Sequence, residues 1–146
     1  MLTITDKELI IDTVSRLFIN TDNRNWPKVK ALFTPRVHFD MISLAGGRPE
    51  IIMSQEIVDG WDKRLKVLKA IRHQAGNYLV DIQGNDASVF CYGVAWHYLP
   101  SKTNRNTRTF AGSYDFQTVK QDQEWKIDKF KYNLTFIDGN PYLKKS

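Results

Sequence analysis

Apolar residues recur at helical spacing near the start of the chain and at every second position in its second half. Thr5 and Glu8 form a capping box at the start of the first helical segment. This pattern predicts a helix from about residue 5 to residue 20. The apolar stripe of that helix consists of Leu9, Ile10, Val14, Leu17 and Phe18.

Two further helical segments follow the first. Asn25 and Pro27 are placed to cap and begin a short second helix. Residues 37–41 alternate as a strand does, and residues 45–49 have the composition of a loop. Ser54 is the predicted N-cap of a third helix that ends at about residue 67.

Four long segments with a period of two residues occupy the rest of the chain. They cover residues of about 70–83, 86–99, 107–120 and 124–137, and turn-forming residues separate them. We expect an antiparallel meander of long, coiled strands. In the last segment the apolar positions change parity near residues 128–129, which predicts a β-bulge there. Helices followed by such a meander indicate the α+β class.

The length and composition fit one domain over residues 1–146, with 42% hydrophobic residues and a formal charge of +5. Five of the cations cluster on or just after the third helix: Lys63, Arg64, Lys66, Lys69 and Arg72. Because that helix has its own apolar stripe, most of these cations fall on its solvent face, and no nucleic-acid-binding motif accompanies them. We therefore expect no nucleic-acid partner.

The chain has no features of a membrane or secreted protein. Its apolar runs are far shorter than the roughly 20 residues that cross a bilayer, and its first residues do not resemble a signal peptide. Cys91 is the single cysteine, so no internal disulfide is available. We expect a soluble, cytoplasmic protein.

Two of the three histidines, His73 and His97, lie in neighbouring strands and are the first candidates for chemistry. A three-residue loop, Gly84 to Asp86, would pair them directly, because their numbers then have the constant sum of a hairpin. We favour this register. A two-residue Gly84-Asn85 turn would place them on opposite faces unless a bulge intervenes, for which Gly76 is a candidate.

The favoured register gives the two faces of the hairpin different characters. The histidine face carries small residues that leave room for a cavity: Ala75, Asn77, Gly93 and Ala95. The reverse face carries large apolar residues: Tyr78, Val80, Ile82, Phe90, Tyr92, Val94 and Trp96. Since a patch of that size is seldom left in water, we expect a partner subunit to cover it, in a homodimer formed through the sheet face.

The string from Asn25-Trp26 through Val29, Leu32-Phe33 and Val37 to Phe39-Asp40, with the later His73-x-x-Gly76-Asn77, resembles the SnoaL-like branch of the nuclear transport factor 2-like superfamily. The likeness covers nearly the whole chain. It implies a cone-shaped, cystatin-like α+β fold, in which a curved sheet wraps the first helix and leaves a deep pocket. Members of the superfamily include cyclases, isomerases, dehydratases and proteins without catalysis.

Within this family the polar pattern is most similar to that of scytalone dehydratase. The resemblance implies that Asp22, His73 and His97 are the catalytic residues, although Thr21 stands where that enzyme has a tyrosine. Asp40 falls near the general base of ketosteroid isomerase. We also expect Trp61, Tyr114 and Tyr132 to line or close the pocket, together with Phe116 and Phe136.

Three kinds of function are compatible with these residues. The first, which we favour, is acid-base catalysis without a cofactor on a hydrophobic or aromatic carbonyl compound, by a dehydratase, isomerase or cyclase. The second is ligand binding without catalysis, and the third is a small subunit like that of ring-hydroxylating dioxygenases. Asp22, His73 and His97 are also suitable metal ligands, but no local metal-binding motif accompanies them, so we expect no metal.

Overall fold

The computed structural model describes residues 3–143, which form helices and one mixed sheet. The helices are α1 (Asp6–Asp22), α2 (Trp26–Lys30), α3 (Ile42–Ala45) and α4 (Ser54–Leu65). The strands are β1 (Phe33–Asp40), β2 (Glu50–Met53), β3 (Ala70–Gln83), β4 (Asp86–Tyr98), β5 (Thr107–Gln121) and β6 (Glu124–Gly139). The predicted α+β class is confirmed.

The strands are ordered β2-β1-β6-β5-β4-β3, and every neighbouring pair is antiparallel except β1 and β6, which are parallel. The sheet curls without closing. Helix α1 packs on its inner face, where Ile10, Val14 and Leu17 are almost completely buried. The main core therefore lies between α1 and the sheet. Within residues 3–143, no helix is both long enough and apolar enough to span a membrane.

Capping side chains begin the helices much as the sequence predicts. The Thr5 hydroxyl oxygen accepts a hydrogen bond from the Glu8 N–H at 3.1 Å, and the Asn25 side chain accepts one from the Lys28 N–H. The prediction for the later helix is wrong by one position: Met53 is the N-cap of α4, and Ser54 is its first residue. Ser54 is buried and makes no capping bond.

Two short elements border the segment predicted as a loop. Helix α3 ends at Ala45, the first residue of that segment, and strand β2 begins just after it, at Glu50. The Ile42 N–H donates to Asp40 Oδ1 at 3.1 Å, which helps to begin α3. Strand β2 extends the sheet by pairing with β1, so that Val37 faces Ile52. Elements of four residues are too short to show a period in the sequence, and here tertiary pairing determines them.

The favoured register of the β3–β4 hairpin is wrong. Gln83 pairs with Asp86 across a two-residue turn, whereas His73 pairs with Ala95, not with His97. The difference has two causes: the two-residue turn shifts the pairing by one residue, and a bulge after Gly76 shifts it by a second. The alternative of a two-residue turn with a bulge is therefore the observed one, and it still leaves the two histidines on one face.

The bulge also changes which residues belong to each face. Asn77 adopts a φ of 56°, and beyond it Tyr78 and Val80 turn inward and pack against the core. The prediction that these two side chains lie on the reverse face is wrong for this reason. In β6, the predicted parity change near 128–129 is confirmed, since the β5–β6 register shifts between Ile127 and Lys129.

Candidate functional site

A cavity of about 590 Å³ opens between the helices and the inner face of the sheet. This volume lies within the range of about 300–1,000 Å³ that is usual for small-molecule sites. Most of its lining is apolar, from α1, α3, α4 and strands β3 to β6. The lining residues with polar side-chain groups are Thr21, Trp61, Arg64, His73, His97, Arg108, Tyr114 and Tyr132.

Asp22 and His73 form a directly bonded pair at the cavity. Asp22 Oδ1 lies 2.6 Å from His73 Nδ1, and Asp22 Oδ2 accepts the backbone N–H of His73 at 3.0 Å. The Asp22 side chain is 8% exposed and that of His73 is 14% exposed. Asp22 is the last residue of α1, and His73 is in β3, so the end of a helix positions a carboxylate against the sheet. A carboxylate at Nδ1 fixes a proton there and leaves Nε2 as an acceptor.

The ring of Phe18 holds the imidazole of His73 from a second direction. The two rings are stacked with centroids 5.3 Å apart, and Phe18 is itself buried in α1. Carboxylate and phenyl ring together restrict the imidazole orientation, as catalytic bases require.

His97 lies on the same face as His73 but in a different environment. Burial lowers the pKa of His97 to about 4, with smaller contributions from the Arg108 and His73 charges. The ring lies 4.8 Å from that of Phe110, and Nδ1 is buried with no hydrogen-bond partner among residues 3–143. His97 is therefore neutral at neutral pH, with one ring nitrogen able to donate and the other to accept.

Aromatic residues make one wall of the cavity. Tyr114 and Tyr132 have ring centroids 4.9 Å apart, and Trp61 packs edge-on against Phe130. Burial raises the pKa of both tyrosines, so their phenols remain protonated. The Tyr132 hydroxyl is buried and finds no hydrogen-bond partner within the described part of the chain.

Several residues expected near the ligand lie elsewhere. Asp40 and Asn77 are absent from the cavity lining, because Asp40 turns to the start of α3 and Asn77 forms the bulge. Gly93 provides space for a side chain rather than for a ligand: a Cβ atom there would lie 2.4 Å from Tyr114 Cε2. Of the four small residues predicted to shape the cavity, Ala95 lines it.

Sequence reasoning did not identify Arg108 as a cavity residue. Arg108 lies two residues before the buried Phe110 in an alternating strand, and this spacing places both side chains on the inner face. The parity of β5 was therefore the available signal. Phe136 is the opposite case, since it is 54% exposed and does not line the cavity.

The arrangement suits proton transfer better than metal binding. Across residues 3–143, no group of three or more His, Cys, Asp or Glu side chains has the geometry to hold a metal ion. Instead, the cavity combines a carboxylate-bound imidazole, a neutral imidazole and a phenol on an apolar surface. Such groups can remove a proton from a bound molecule and stabilise the oxyanion that results.

Comparison with known proteins identifies both a family and a fold. Residues 2–131 match the SnoaL-like domain. No curated protein matches the sequence. Many solved structures share the fold, among them the Kfla4162 protein of Kribbella flavida, with a TM-score of 0.87 at 18% identity over 91% of this chain and 93% of that one.

The other structural neighbours include two whose names denote an elimination. A proposed scytalone dehydratase from Novosphingobium aromaticivorans has a TM-score of 0.80 at 16% identity, covering 97% of this chain and 95% of its own. A type-3 hexachlorocyclohexane dehydrochlorinase from Novosphingobium barchaimii has a TM-score of 0.74 at 12% identity, covering 96% and 93%. At such identities the likeness establishes the fold alone.

Proposed function

The chain belongs to the SnoaL-like domain family, and we propose that it is a cofactor-independent acid-base enzyme of the dehydratase, isomerase or cyclase type. Its substrate is a hydrophobic or aromatic carbonyl compound that binds in the cavity. The observation that carries this proposal is the Asp22–His73 pair, in which a buried carboxylate holds an imidazole at the wall of an apolar cavity.

In the proposed reaction His73 is the base. Asp22 keeps the proton on Nδ1, so Nε2 takes a proton from the carbon beside the carbonyl, and the electron pair moves to the carbonyl oxygen. The neutral imidazole of His97 and the phenol of Tyr132 are candidate donors to that oxyanion. In a dehydration, the enolate then expels a hydroxyl group, which leaves as water with the proton that His73 Nε2 has taken up, so that the imidazole of His73 returns to its neutral form.

Two of the structural neighbours favour elimination as the reaction class, whereas a third has a name that denotes an aromatic ring hydroxylase. The names of the first two, a proposed dehydratase and a dehydrochlorinase, denote the loss of a small molecule from adjacent carbons. The proton abstraction that we assign to His73 is common to such eliminations and to enolate-forming isomerisations.

The test is exchange of carbon-bound hydrogen for deuterium in a panel of one-ring and two-ring ketones in D₂O, followed by proton NMR. Exchange reports the first step without knowledge of the product. We expect the wild-type protein to accelerate it, and His73→Gln to lower the rate by about 10²-fold or more. Asp22→Asn also lowers the rate, because an amide can favour the other imidazole tautomer.

His38→Gln is the matched control, since His38 is exposed and lies outside the cavity. Thermal melting establishes that each variant is folded. If His73→Gln catalyses the exchange at the same rate as the wild-type protein, His73 is not the base. Ligand binding without exchange or turnover would favour a binding protein, and co-purification with a larger iron-containing chain would favour a dioxygenase subunit.

The proposal includes a homodimer formed through the reverse face of the sheet. Aromatic side chains on that face are partly open to solvent, with Tyr92 57% and Phe136 54% exposed. Phe90 lies beside Tyr92, with ring centroids 5.6 Å apart. Apolar patches of this kind commonly mark protein interfaces. A cytoplasmic location stays a prediction from the sequence.

A further inference from the structure

Arg108 introduces a positive charge into the cavity beside His97. The two residues pair directly across β4 and β5 and therefore project to the same face of the sheet. The guanidinium carbon of Arg108 lies 5.2 Å from the centre of the Phe110 ring. Arg108 lines the cavity, as does Arg64 at a more exposed position on α4.

No protein group in the described residues balances the charge of Arg108. Its Nε is buried without a hydrogen-bond partner, and none of the ion pairs within residues 3–143 includes it. Burial lowers the pKa of Arg108, which reflects a charge taken partly out of water. An arginine remains protonated in such surroundings, so the charge persists.

The cavity also lacks an acidic lining residue to which Arg108 could turn. The described lining residues include no Asp or Glu. Asp22 lies behind His73 and already accepts two hydrogen bonds from it. A cation that is partly withdrawn from water without a partner is destabilised, and a ligand with a matching negative group would relieve that cost.

We propose that the cavity binds a ring-bearing compound that carries a carboxylate, and that Arg108 is the residue that recognises this group. The inference rests on the proposed function for the identity of the reacting end. The Nε–H and a neighbouring Nη–H of a guanidinium form a fork that matches the two oxygens of a carboxylate. The apolar lining accommodates the ring.

The sheet register places the two ends of such a ligand apart. His73 pairs with Ala95, whereas Arg108 pairs with His97, two residues farther along β4. Two residues of a strand span about 7 Å. A carboxylate at Arg108 would therefore lie several bonds from the carbon that His73 deprotonates, so the expected substrate is a ring-bearing keto acid.

The experiment compares two probes of nearly equal shape, 2-naphthoate and the uncharged 2-naphthamide, by calorimetry at pH 7.5. We expect wild-type protein to bind the carboxylate at least about tenfold more tightly, as charged hydrogen bonds provide. Arg108→Gln should remove this preference and leave the affinity for the amide nearly unchanged.

Arg48→Gln is the matched control, since it removes the same charge at an exposed position outside the cavity, where solvent and salt screen it. It should retain most of the preference for the carboxylate. Equal affinity of wild-type protein for both probes, or binding of neither, would overturn the inference. So would a preference that survives in Arg108→Gln or disappears in Arg48→Gln.

The outcome separates this inference from the proposed function. Carboxylate preference without any hydrogen exchange would leave Arg108 as an anion-binding residue in a protein without catalysis. Exchange of neutral ketones without carboxylate preference would leave the catalytic proposal and remove the keto acid. If Arg108→Gln does not fold, Arg108→Lys keeps the charge but loses the fork, and should weaken 2-naphthoate binding alone.

Discussion

At the scale of single residues, two histidines on one face acquire different properties from their surroundings. His73 has a carboxylate 2.6 Å from Nδ1, which selects one tautomer and orients the ring. His97 has no such partner, and burial together with the Arg108 charge favours its neutral form. One imidazole is thereby suited to accept a proton and the other to donate a hydrogen bond without carrying charge.

The low pKa of His97 makes stability depend on pH. In the unfolded chain a histidine binds a proton below a pH of about 6.5, whereas His97 in the folded protein does so only below about 4. Between these values the unfolded state holds more protons, so stability falls as the pH falls. The loss attributable to His97 approaches about 3 kcal/mol at the acid end.

Urea unfolding at intervals from pH 4 to pH 7 measures this dependence. His97→Gln should unfold with a shallower pH dependence over that window than the wild type, because the buried group can no longer titrate. His38→Gln, at an exposed position, should keep the wild-type slope. If the stability of His97→Gln depends on pH as steeply as that of the wild type, burial does not lower the pKa of His97.

At the scale of elements, the periodicity of the sequence predicted the long strands to within a residue or two. It could not predict the β3–β4 register, because one bulged residue changes the pairing without altering the apolar pattern enough to reveal it. The histidines share a face in both registers, whereas Tyr78 does not keep its predicted face. The parity of β5 was enough to place Arg108 on the inner face, whereas its position opposite His97 also required the β4–β5 register.

Close packing between β5 and β6 gives a sharp test of the sheet at the cavity wall. A Cβ atom on Gly112 would lie 2.3 Å from the Asn133 carbonyl oxygen and 2.8 Å from the Tyr132 hydroxyl. Since backbone cannot move away as a flexible side chain can, we expect Gly112→Ala to lower the free energy of unfolding by about 1–3 kcal/mol.

Gly76→Ala is the control for that substitution. Gly76 is also in a long strand, but no atom lies within 4 Å of the Cβ that alanine would add. Its free energy of unfolding should stay within about 0.5 kcal/mol of the wild type. Urea titrations of the two variants side by side provide the comparison, and equal stability would show that the β5–β6 contact relaxes without cost.

At the scale of the whole molecule, the curled sheet has one face packed on α1 and the other open. The inner face supplies both the core and the cavity, so the shape of the cavity and the stability of the fold depend on the same strands. Sequence patterns and family resemblance predicted this division, since alternation assigns residues to two faces. What alternation cannot specify is the occupant of the outer face, because it separates the two faces without showing whether a second chain or solvent covers the apolar residues of the outer one.

The proposed dimer predicts that charge on the outer face disrupts association. Tyr92→Lys places a cation on that face beside Phe90, and in a symmetric dimer it brings a second, like charge to the same interface. We expect sedimentation equilibrium to give a dimer mass for the wild type and a dissociation constant raised by about tenfold or more for Tyr92→Lys. Ile19→Lys is the control, because Ile19 is 58% exposed on α1, away from the sheet. A monomer mass for the wild type at micromolar concentrations, or equal weakening by both substitutions, would contradict an interface through this face.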